Sequence, residues 1–273
     1  MIVERTRVSA AWLDLREPAD AAARSVALAE HLRRNLPPAA PLVIHDLASG
    51  TGSMRRWLAP LLPGPQRWVL HDLDEDLLDV AAANLPGPAA DGDSVAVETQ
   101  QGDVTELRAS DLAGAGLITA SALLDLLTHE ELARLVDLCV DVGCPALLSL
   151  SVIGRVELAP ADPLDPLVAA AFDAHQRRLT GRGPLLGPDA VAAAVEDFRR
   201  RGARVLVRPS PWRLGAAQAD LAADWFTGWI GAACEQSADL AAVVGPYTSR
   251  RLAEARAGEL AVTVSHADLL VLP

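Results

Sequence analysis

The amino-acid sequence predicts an α/β fold with a doubly wound, mostly parallel β-sheet. Short aliphatic segments alternate with helical periods of roughly 10–15 residues, the pattern that βαβ units produce. Hydrophobic residues make up 51% of the chain and aromatic residues only 4%. This composition favours helices packed on aliphatic strands over an all-β sandwich. A length of 273 residues suffices for one well-filled core, so we expect a single domain over residues 1–273.

The charge composition excludes several classes of function. The net charge is −12, and all 24 basic residues are arginine. Without lysine the chain forms neither a Schiff base nor a Walker A phosphate loop. The negative charge also disfavours a nucleic-acid partner.

The remaining compositional features predict a cytoplasmic protein. The cysteines at 139, 144 and 234 form no C-x-x-C pair, so we expect reduced thiols. The N-terminal segment MIVERTRVSAAW lacks the apolar stretch of a signal peptide. No apolar run approaches the roughly 18 residues of a membrane span.

The first half of the chain predicts two helices followed by alternating strands and helices. A helical period covers Ser9 to Asn35, and we expect Pro18 to divide it into a short and a longer helix. Prolines between Pro37 and Pro41 then break the pattern. The predicted strands are 42–46, 68–72, 94–99, 116–120 and 146–152. The predicted helices between them are 54–61, 75–84 and one that opens at Thr128 with a capping box.

The alternation of strands and helices changes after the fifth strand. Two insertions, 155–187 and 210–258, interrupt it, with one predicted helix (167–178) in the first and two in the second. A helix over 189–201, a strand over 204–208 and a last strand over 260–272 complete the chain. With the N-terminal residues 1–38, the insertions are expected to form a helical cap over the sheet.

The segment from Asp46 to Gly52, DLASGTG, is the strongest candidate for a ligand site. In an open α/β sheet, ligands bind beyond the carboxyl ends of the strands at the topological switch point. Glycines at this turn let the backbone approach a ligand, and the next helix presents unpaired N–H groups. Asp72, at the end of the second strand, is placed to accept hydrogen bonds from both hydroxyls of a ribose. The plain alternative is that Gly50 and Gly52 only form a tight turn.

Together these segments resemble the class I S-adenosylmethionine-dependent methyltransferases over roughly residues 42–152. The matching segments are DLASGTG, the acid of VLHDLD, the acid of QGDV and the strand end ITASALLDLL. The resemblance implies a seven-stranded sheet whose last strand is antiparallel. Ala48 stands where the family usually has the first glycine of the turn. A weaker similarity to an uncharacterised bacterial branch of the family covers nearly the whole chain.

The resemblance implies that S-adenosylmethionine binds at the ends of the first four strands. The residues that it places there are Asp46, Ala48, Ser49, Gly50, Gly52, Asp72, Leu73, Asp103, Val104, Ala120 and Ser121. By this analogy the glycine turn lies against the methionine part and Asp46 orders the turn. Asp72 holds the ribose, Asp103 contacts the adenine, and Ala120 and Ser121 line the wall near the methyl group.

A nicotinamide-binding enzyme is the main competing interpretation of the turn. Its G-x-G-x-x-G motif requires a third glycine where this chain has Arg55. Asp46 would also lie near a pyrophosphate, where a carboxylate is unfavourable. The sulfonium and ammonium groups of S-adenosylmethionine favour acids instead.

The acceptor site is less well defined by the sequence. In-line methyl transfer depends mostly on holding the reactants in position, and it needs a base only when the acceptor must lose a proton. The candidate bases are His175, Asp125 and His129. Candidate acceptor contacts are Trp12, Arg16, Arg155, Arg177 and Trp212. Solvated ion pairs and helix packing explain these residues equally well, and the histidine spacing indicates no metal site.

The expected activity is methyl transfer from S-adenosylmethionine to oxygen, nitrogen or carbon of a small organic acceptor. Two alternatives stay open. One is an aminopropyltransferase-like enzyme that binds a related nucleoside without moving a methyl group. The other is a non-catalytic interaction module that keeps the fold. We expect no nucleic-acid or membrane partner, and the sequence leaves the oligomeric state open.

Overall fold

A computed structural model describes residues 8–36 and 41–273. Residues 37–40, in the segment where prolines are expected to end the helical pattern, and residues 1–7 of the expected cap lie outside the described residues. The helices are α1 (Ala10–Ala23), α2 (Val26–Asn35), α3 (Ser53–Leu58), α4 (Glu75–Ala83), α5 (His129–Val142), α6 (Asp165–Gln176), α7 (Ala190–Arg200), α8 (Ala219–Gln236), α9 (Ala238–Val243) and α10 (Gly245–Arg256). The strands are β1 (Leu42–Leu47), β2 (Gln66–Asp72), β3 (Val95–Gln101), β4 (Leu117–Ser121), β5 (Ala146–Ala159), β6 (Leu179–Thr180), β7 (Gly183–Pro184), β8 (Arg204–Pro209), β9 (Trp212–Leu214) and β10 (Ala261–Leu272).

The central sheet has the strand order β3-β2-β1-β4-β5-β10-β8. Strands β1 to β5 pair in parallel, and β10 runs antiparallel to β5 and β8. The predicted doubly wound sheet with an antiparallel last strand is therefore confirmed. The short strand β9 also pairs with β10, and β6 and β7 form a separate hairpin. The strand order reverses between β1 and β4, which opens a crevice at the carboxyl ends of these two strands.

Helices cover both faces of the sheet. On one face, α5 and α7 bury their apolar sides against residues such as Ile118 and Leu148. On the other face, α2, α3 and α4 pack against residues such as Ile44 and Leu117. Adjacent strand residues point to opposite faces, so Leu117 and Ile118 belong to different layers of the core. The capping box of Thr128 and Glu131 begins α5 as predicted.

The cap is built on an extension of the sheet. Strand β5 continues past the predicted end at Val152 to Ala159, where it pairs with the first residues of β10. Helices α6, α8 and α10 pack on this extension around Phe226, Trp229 and Tyr247. The insertion at 210–258 contains β9 and three helices, whereas the sequence analysis predicts two helices.

The N-terminal helices divide at a different place from the one predicted. Helix α1 runs through Pro18, which is exposed, so the carbonyl that loses its intrahelical partner faces water. The break falls at Ser25, whose Oγ accepts a hydrogen bond from the Leu28 amide and caps α2. The Ser25 amide donates to Asp268 of β10 at 2.7 Å, and Asp268 also accepts from the Leu150 amide of β5. The expectation about Pro18 was therefore wrong, because contacts with the sheet determine where the helix ends.

Two buried histidines contact each other across β1 and β2. His45 Nδ1 and His71 Nε2 lie 2.8 Å apart, and the rings are stacked. Burial lowers the pKa of His45 to about 4 and lowers that of His71 as well. The pair is therefore neutral at pH 7 and forms part of the core. No helix within residues 8–36 and 41–273 is long and apolar enough to cross a membrane.

Candidate functional site

The turn after β1 has a left-handed backbone at three positions. The φ angles are 53° at Ala48, 53° at Gly50 and 82° at Gly52. The Ser49 amide donates to the His71 carbonyl at 2.9 Å, and the Gly52 amide donates to the Ser49 carbonyl at 2.9 Å. These bonds fix the turn against β2. Ala48 adopts a conformation that normally favours glycine, and its methyl group packs against the core on the α5 side.

Asp72 connects this turn to the end of β2. Its Oδ2 accepts a hydrogen bond from the Gly50 amide at 2.8 Å, and its Oδ1 accepts one from the Asp74 amide at 3.0 Å. Each carboxylate oxygen has two lone pairs, so both atoms keep capacity for a further donor. The neighbouring Leu73 is 47% exposed and presents an apolar surface beside the carboxylate.

Asp46, at the end of β1, is 0% exposed. Its Oδ1 accepts a hydrogen bond from Thr119 Oγ at 2.7 Å, and its Oδ2 has no hydrogen-bond partner among the described residues. Burial raises the pKa of Asp46 to about 7, because lost hydration outweighs the Thr119 hydrogen bond and the nearby Arg24 charge. The hydrogen bond from Thr119 of β4 fixes one oxygen of Asp46. The expected role of Asp46 in ordering the turn stays a prediction.

Arg24, directly after α1, lies beside the end of β4, and the sequence analysis did not identify it. It is 3% exposed, and its Nη2 donates to Ser53 Oγ at 3.0 Å and to Ser121 Oγ at 3.1 Å. Its Nε and Nη1 have no partner within the described ranges. Burial lowers the pKa of the guanidinium, and the Asp20 and Asp46 carboxylates oppose that shift. No local sequence signal separates Arg24 from the other arginines, since both serines lie far along the chain.

Helix α1 lies directly over the glycine turn. A Cβ atom on Gly50 would stand 2.9 Å from Leu13 Cδ1. Glu17 forms an ion pair with Arg56 of α3, and Arg56 also donates to the Thr51 carbonyl. A cavity of about 50 Å³ remains between α1, the turn and the end of β4. The N-terminal helix therefore encloses this end of the crevice.

An ion pair within α1 shares its acid, Asp20, with Trp212 of the cap and so connects the helix to the cap. Arg16 Nε donates to Asp20 Oδ2 at 2.9 Å, and Trp212 Nε1 of β9 donates to Asp20 Oδ1 at 2.9 Å. The Arg16 guanidinium lies 5.0 Å from the Trp212 ring centroid. Trp212 in turn contacts the buried His266, whose pKa is lowered to about 4 mainly by burial. The structure thus brings together two of the predicted acceptor residues, Arg16 and Trp212.

Asp125 lies on the turn after β4. Burial raises its pKa to about 6, and the positive charge of Arg16 opposes part of that shift. The carboxylate therefore interacts electrostatically with Arg16, one of the two acceptor candidates above. Of the three candidate bases, Asp125 is the one that the structure associates with this part of the crevice.

The other acceptor candidates have partners within the cap or the surface. His175 Nε2 lies 3.1 Å from Glu235 of α8, and Arg177 Nε donates to Asp189 at 2.6 Å. Arg155 pairs with Glu157 on the same strand. Trp12 packs against the core of the cap, and His129 is exposed in the first turn of α5. Their predicted roles stay predictions, and these contacts do not support them.

The adenine candidates lie at the end of β3. Asp103 Oδ1 accepts hydrogen bonds from the Thr105 amide at 3.0 Å and from Thr105 Oγ at 2.8 Å, which fixes the turn. Asp103 also lines an open groove of about 540 Å³ that reaches the start of α5. Val104 is half-buried beside it. In the part of the chain that the structure describes, no group of histidine, cysteine and acidic residues is arranged to hold a metal ion.

Solved structures share this fold. A cyclopropane-fatty-acyl-phospholipid synthase-like protein from Lactobacillus casei aligns with 100% of this chain and 96% of its own, at 14% identity and a TM-score of 0.54. A cyclopropane synthase from Mycobacterium tuberculosis aligns with 90% of this chain and 83% of its own, at 14% identity and a TM-score of 0.47. A mycolic acid cyclopropane synthase complexed with SAH aligns with 89% and 83%, at 13% identity and a TM-score of 0.48.

The fold is that of the class I S-adenosylmethionine-dependent methyltransferases, as the sequence motifs predict. No protein-family model and no curated protein sequence matches the chain. The similarity at 14% identity shows the shared fold, and the reaction has to be argued from the site.

Proposed function

We propose that this chain transfers a methyl group from S-adenosylmethionine to a small organic acceptor. The observation that carries the proposal is the cavity at the glycine turn, which has a buried unpaired oxygen of Asp46 at its wall and the unpaired nitrogens of Arg24 behind Ser53 and Ser121. A buried polar group without a partner costs about 1–3 kcal/mol, so several at one place indicate a ligand that satisfies them. A turn with a purely structural role gives no reason for this arrangement.

The described residues fit the nucleoside part of the donor as well. Asp72 keeps lone pairs for the ribose hydroxyls while its two amide bonds hold the turn in place. The exposed side chain of Leu73 and the half-buried Val104 offer apolar surface for the adenine ring, near Asp103. Of the expected residues Ala120 and Ser121 at the end of β4, Ser121 lines the cavity. These assignments rest on position and chemistry.

The charge of the site favours a sulfonium donor over a dinucleotide. The buried carboxylate of Asp46 lies at the turn that a dinucleotide would bring against its pyrophosphate. S-adenosylmethionine supplies a methyl group activated by a positively charged sulfur, so that the acceptor needs chiefly to be held in line. A negative residue at this place is therefore compatible with the donor that we propose.

Asp125 is the residue that we propose as the base. With a pKa near 6 it is largely ionised at pH 7, yet basic enough to take a proton from an acceptor hydroxyl or ammonium group. Arg16 is proposed to contact the acceptor through its charge, while the buried Trp212 holds the guanidinium in place. An acceptor whose oxygen or nitrogen atom receives the methyl group agrees best with a carboxylate base.

Donor binding requires a movement of α1. A cavity of about 50 Å³ holds little more than a water-sized group, which is far less than the donor occupies. Leu13 and Arg16 line the cavity from above, and both side chains have to shift outward. The helix is therefore expected to close again over the bound donor.

Calorimetric titration with S-adenosylmethionine and S-adenosylhomocysteine tests the proposal. We expect micromolar binding by the wild type and a loss of at least about tenfold in Asp72→Ala, since a charged acceptor of two hydrogen bonds is removed. Asp79→Ala, an exposed acid on α4, is the matched control and should bind as the wild type does. A well-folded wild type that binds neither ligand refutes the proposal and favours the non-catalytic module.

Methyl transfer is then tested by following S-adenosylhomocysteine formation with phenol, amine and carboxylate acceptors. Turnover with any acceptor that falls strongly in Asp125→Asn supports the assigned base. Donor binding with no product from any acceptor class favours the aminopropyltransferase-like alternative.

A further inference from the structure

Asp20 of α1 is a buried carboxylate between the helix, the cavity and the cap. It is 4% exposed and is one of the residues that line the cavity. Its Oδ2 accepts a hydrogen bond from Arg16 Nε at 2.9 Å, and its Oδ1 accepts one from Arg16 Nη2 at 3.2 Å. Oδ1 also accepts a hydrogen bond from Trp212 Nε1 at 2.9 Å. The carboxylate thus holds one edge of the Arg16 guanidinium and is itself held by the cap.

The Arg16 guanidinium has a second support in the ring of Trp212. The ring centroid lies 5.0 Å from the guanidinium, and Trp212 is buried on β9, opposite Val264 of β10 and in contact with His266. The bonds to Asp20 use Nε and Nη2, so Nη1 stays outside the ion pair, and Arg16 lines the cavity. Because a guanidinium is a rigid planar fork, holding one edge also fixes the place of the remaining donors.

The stability of α1 does not explain the position of Asp20. The residue lies three positions before the end of the helix at Ala23, where the negative end of the helix dipole disfavours an acid. Arg16 precedes Asp20 by four positions, which is the less favourable order for such a pair. Burial adds a cost in lost hydration, which the charge of Arg24 offsets only in part. The ion pair is therefore better explained by its effect on Arg16 than by a gain in helix stability.

We infer that Asp20 is a positioning residue for the acceptor, which holds Arg16 so that the edge with Nη1 meets the acceptor beside Asp125. The inference rests on the proposed function, in which Arg16 contacts the acceptor and Asp125 is the base. The charge of Arg16 interacts electrostatically with Asp125, which connects the arginine to the base. Asp20 contacts Arg16 and Trp212 and acts on the acceptor through Arg16 alone.

The test is a double-mutant cycle in the kinetics of methyl transfer, with phenol, benzylamine and benzoate as acceptor probes. Arg16→Met should raise the KM of the acceptor roughly 10–100-fold, as for a lost hydrogen bond to a charged group. Asp20→Asn keeps an oxygen for Trp212 but loses the charge that binds Arg16, and should raise this KM about tenfold. The kcat value and the Kd of S-adenosylmethionine should stay within about twofold. In the Arg16→Met background, Asp20→Asn should change the KM less than about twofold, because its effect requires Arg16.

Two further variants complete the test. Glu196→Gln breaks an exposed ion pair with Arg200 on α7 and should keep all wild-type constants. Trp212→Phe removes the Nε1 donor but keeps a ring beneath Arg16, so it should raise the KM less than Asp20→Asn does, and it decides if Asp20→Asn does not fold.

The outcomes separate this inference from the proposed function. An equal rise in KM with and without Arg16, or an equal weakening of S-adenosylmethionine binding, shows that Asp20 only ties the helix to the cap and overturns the inference alone. A wild type that binds S-adenosylmethionine but methylates none of the probes refutes the proposed function, and this inference with it.

Discussion

The pH dependence of donor binding follows from the buried carboxylate of Asp46. Asp46 lines the cavity at which we propose that the donor binds, and it attracts the positively charged groups of the ligand only when the carboxylate is ionised. Its pKa is raised to about 7. The groups that face it are Thr119 from β4, Arg24 from the end of α1, Asp72 from β2 and Arg55 from α3. Burial has the largest effect on the pKa, and Asp72 raises it further while the other three lower it. The affinity should therefore fall as the pH falls through 7.

The magnitude follows from the ionised fraction of Asp46. With a pKa of about 7 the carboxylate is ionised in roughly a tenth of the molecules at pH 6 and in about three quarters at pH 7.5. The apparent affinity scales with the population that is competent to bind, so S-adenosylhomocysteine should bind about eightfold more weakly at pH 6. A ligand α-amino group titrates near pH 8 and stays largely protonated over this range.

Calorimetric titrations at four pH values between 6 and 7.5 measure this effect. Asp46→Asn should bind more weakly at every pH and show a flat profile, because the amide does not titrate. The control Asp79→Asn, on the exposed side of α4, should keep the wild-type slope. A flat wild-type profile, or an unchanged slope in Asp46→Asn, refutes the reasoning.

Three further predictions concern other parts of the molecule. Between pH 7 and pH 5 the contribution of His45 should lower the unfolding free energy of the wild type by about 2 kcal/mol. The reason is that His45 takes up a proton in the unfolded state but stays neutral in the native state, where its pKa is about 4. Urea denaturation of His45→Gln should lack this contribution. Asp125→Asn should lower the rate constant for methyl transfer by roughly 10²–10⁴-fold for an acceptor that must lose a proton, and the wild-type rate should fall below about pH 6. Gly50→Ala should weaken S-adenosylhomocysteine binding, because the new methyl group, 2.9 Å from Leu13, obstructs the closure of α1 over the bound ligand.

Each of these predictions has a matched control. His129→Gln changes an exposed histidine and should keep the wild-type difference between pH 7 and pH 5. For an acceptor that is already deprotonated, Asp125→Asn should have little effect, and equal losses for both acceptor types contradict a base. Gly114→Ala has the same left-handed strain, about 1–2 kcal/mol, but no atom within 4 Å of the new methyl. An equal change in affinity for Gly50→Ala and Gly114→Ala shows that Leu13 is irrelevant.

The sheet and the position of the site could be predicted because local patterns determine them. Alternating periods of strand and helix restrict the topology to a parallel sheet, and its carboxyl edge then holds the residues that end each strand. Asp46 and Asp72 could be placed beside one turn on this basis. The cap extension of β5 also had a signal, since exposed Arg155 and Glu157 alternate with the buried Leu158.

The rest of the site depends on contacts between distant parts of the chain. Arg24 is a candidate only because it donates a hydrogen bond to the cavity residue Ser121, which lies 97 positions later. The end of α1 is set by the bond between Ser25 and Asp268, which are 243 positions apart. No sequence periodicity or motif indicates that residues so far apart in the chain are in contact. The sequence analysis instead favoured histidine and arginine residues of the cap as acceptor contacts. His175, however, contacts Glu235 within the cap.

Helix α1 links the donor side of the crevice to the acceptor side. Leu13 lies on the glycine turn, and one helical turn later Arg16 reaches the region of Trp212 and Asp125. A displacement that admits the donor therefore also moves Arg16 away from the acceptor residues. The helix is held by the ion pair of Glu17 with Arg56 and by the buried hydrogen bond from Trp212 to Asp20. Closure over the donor restores Arg16, so the acceptor region should be complete only after the donor has bound.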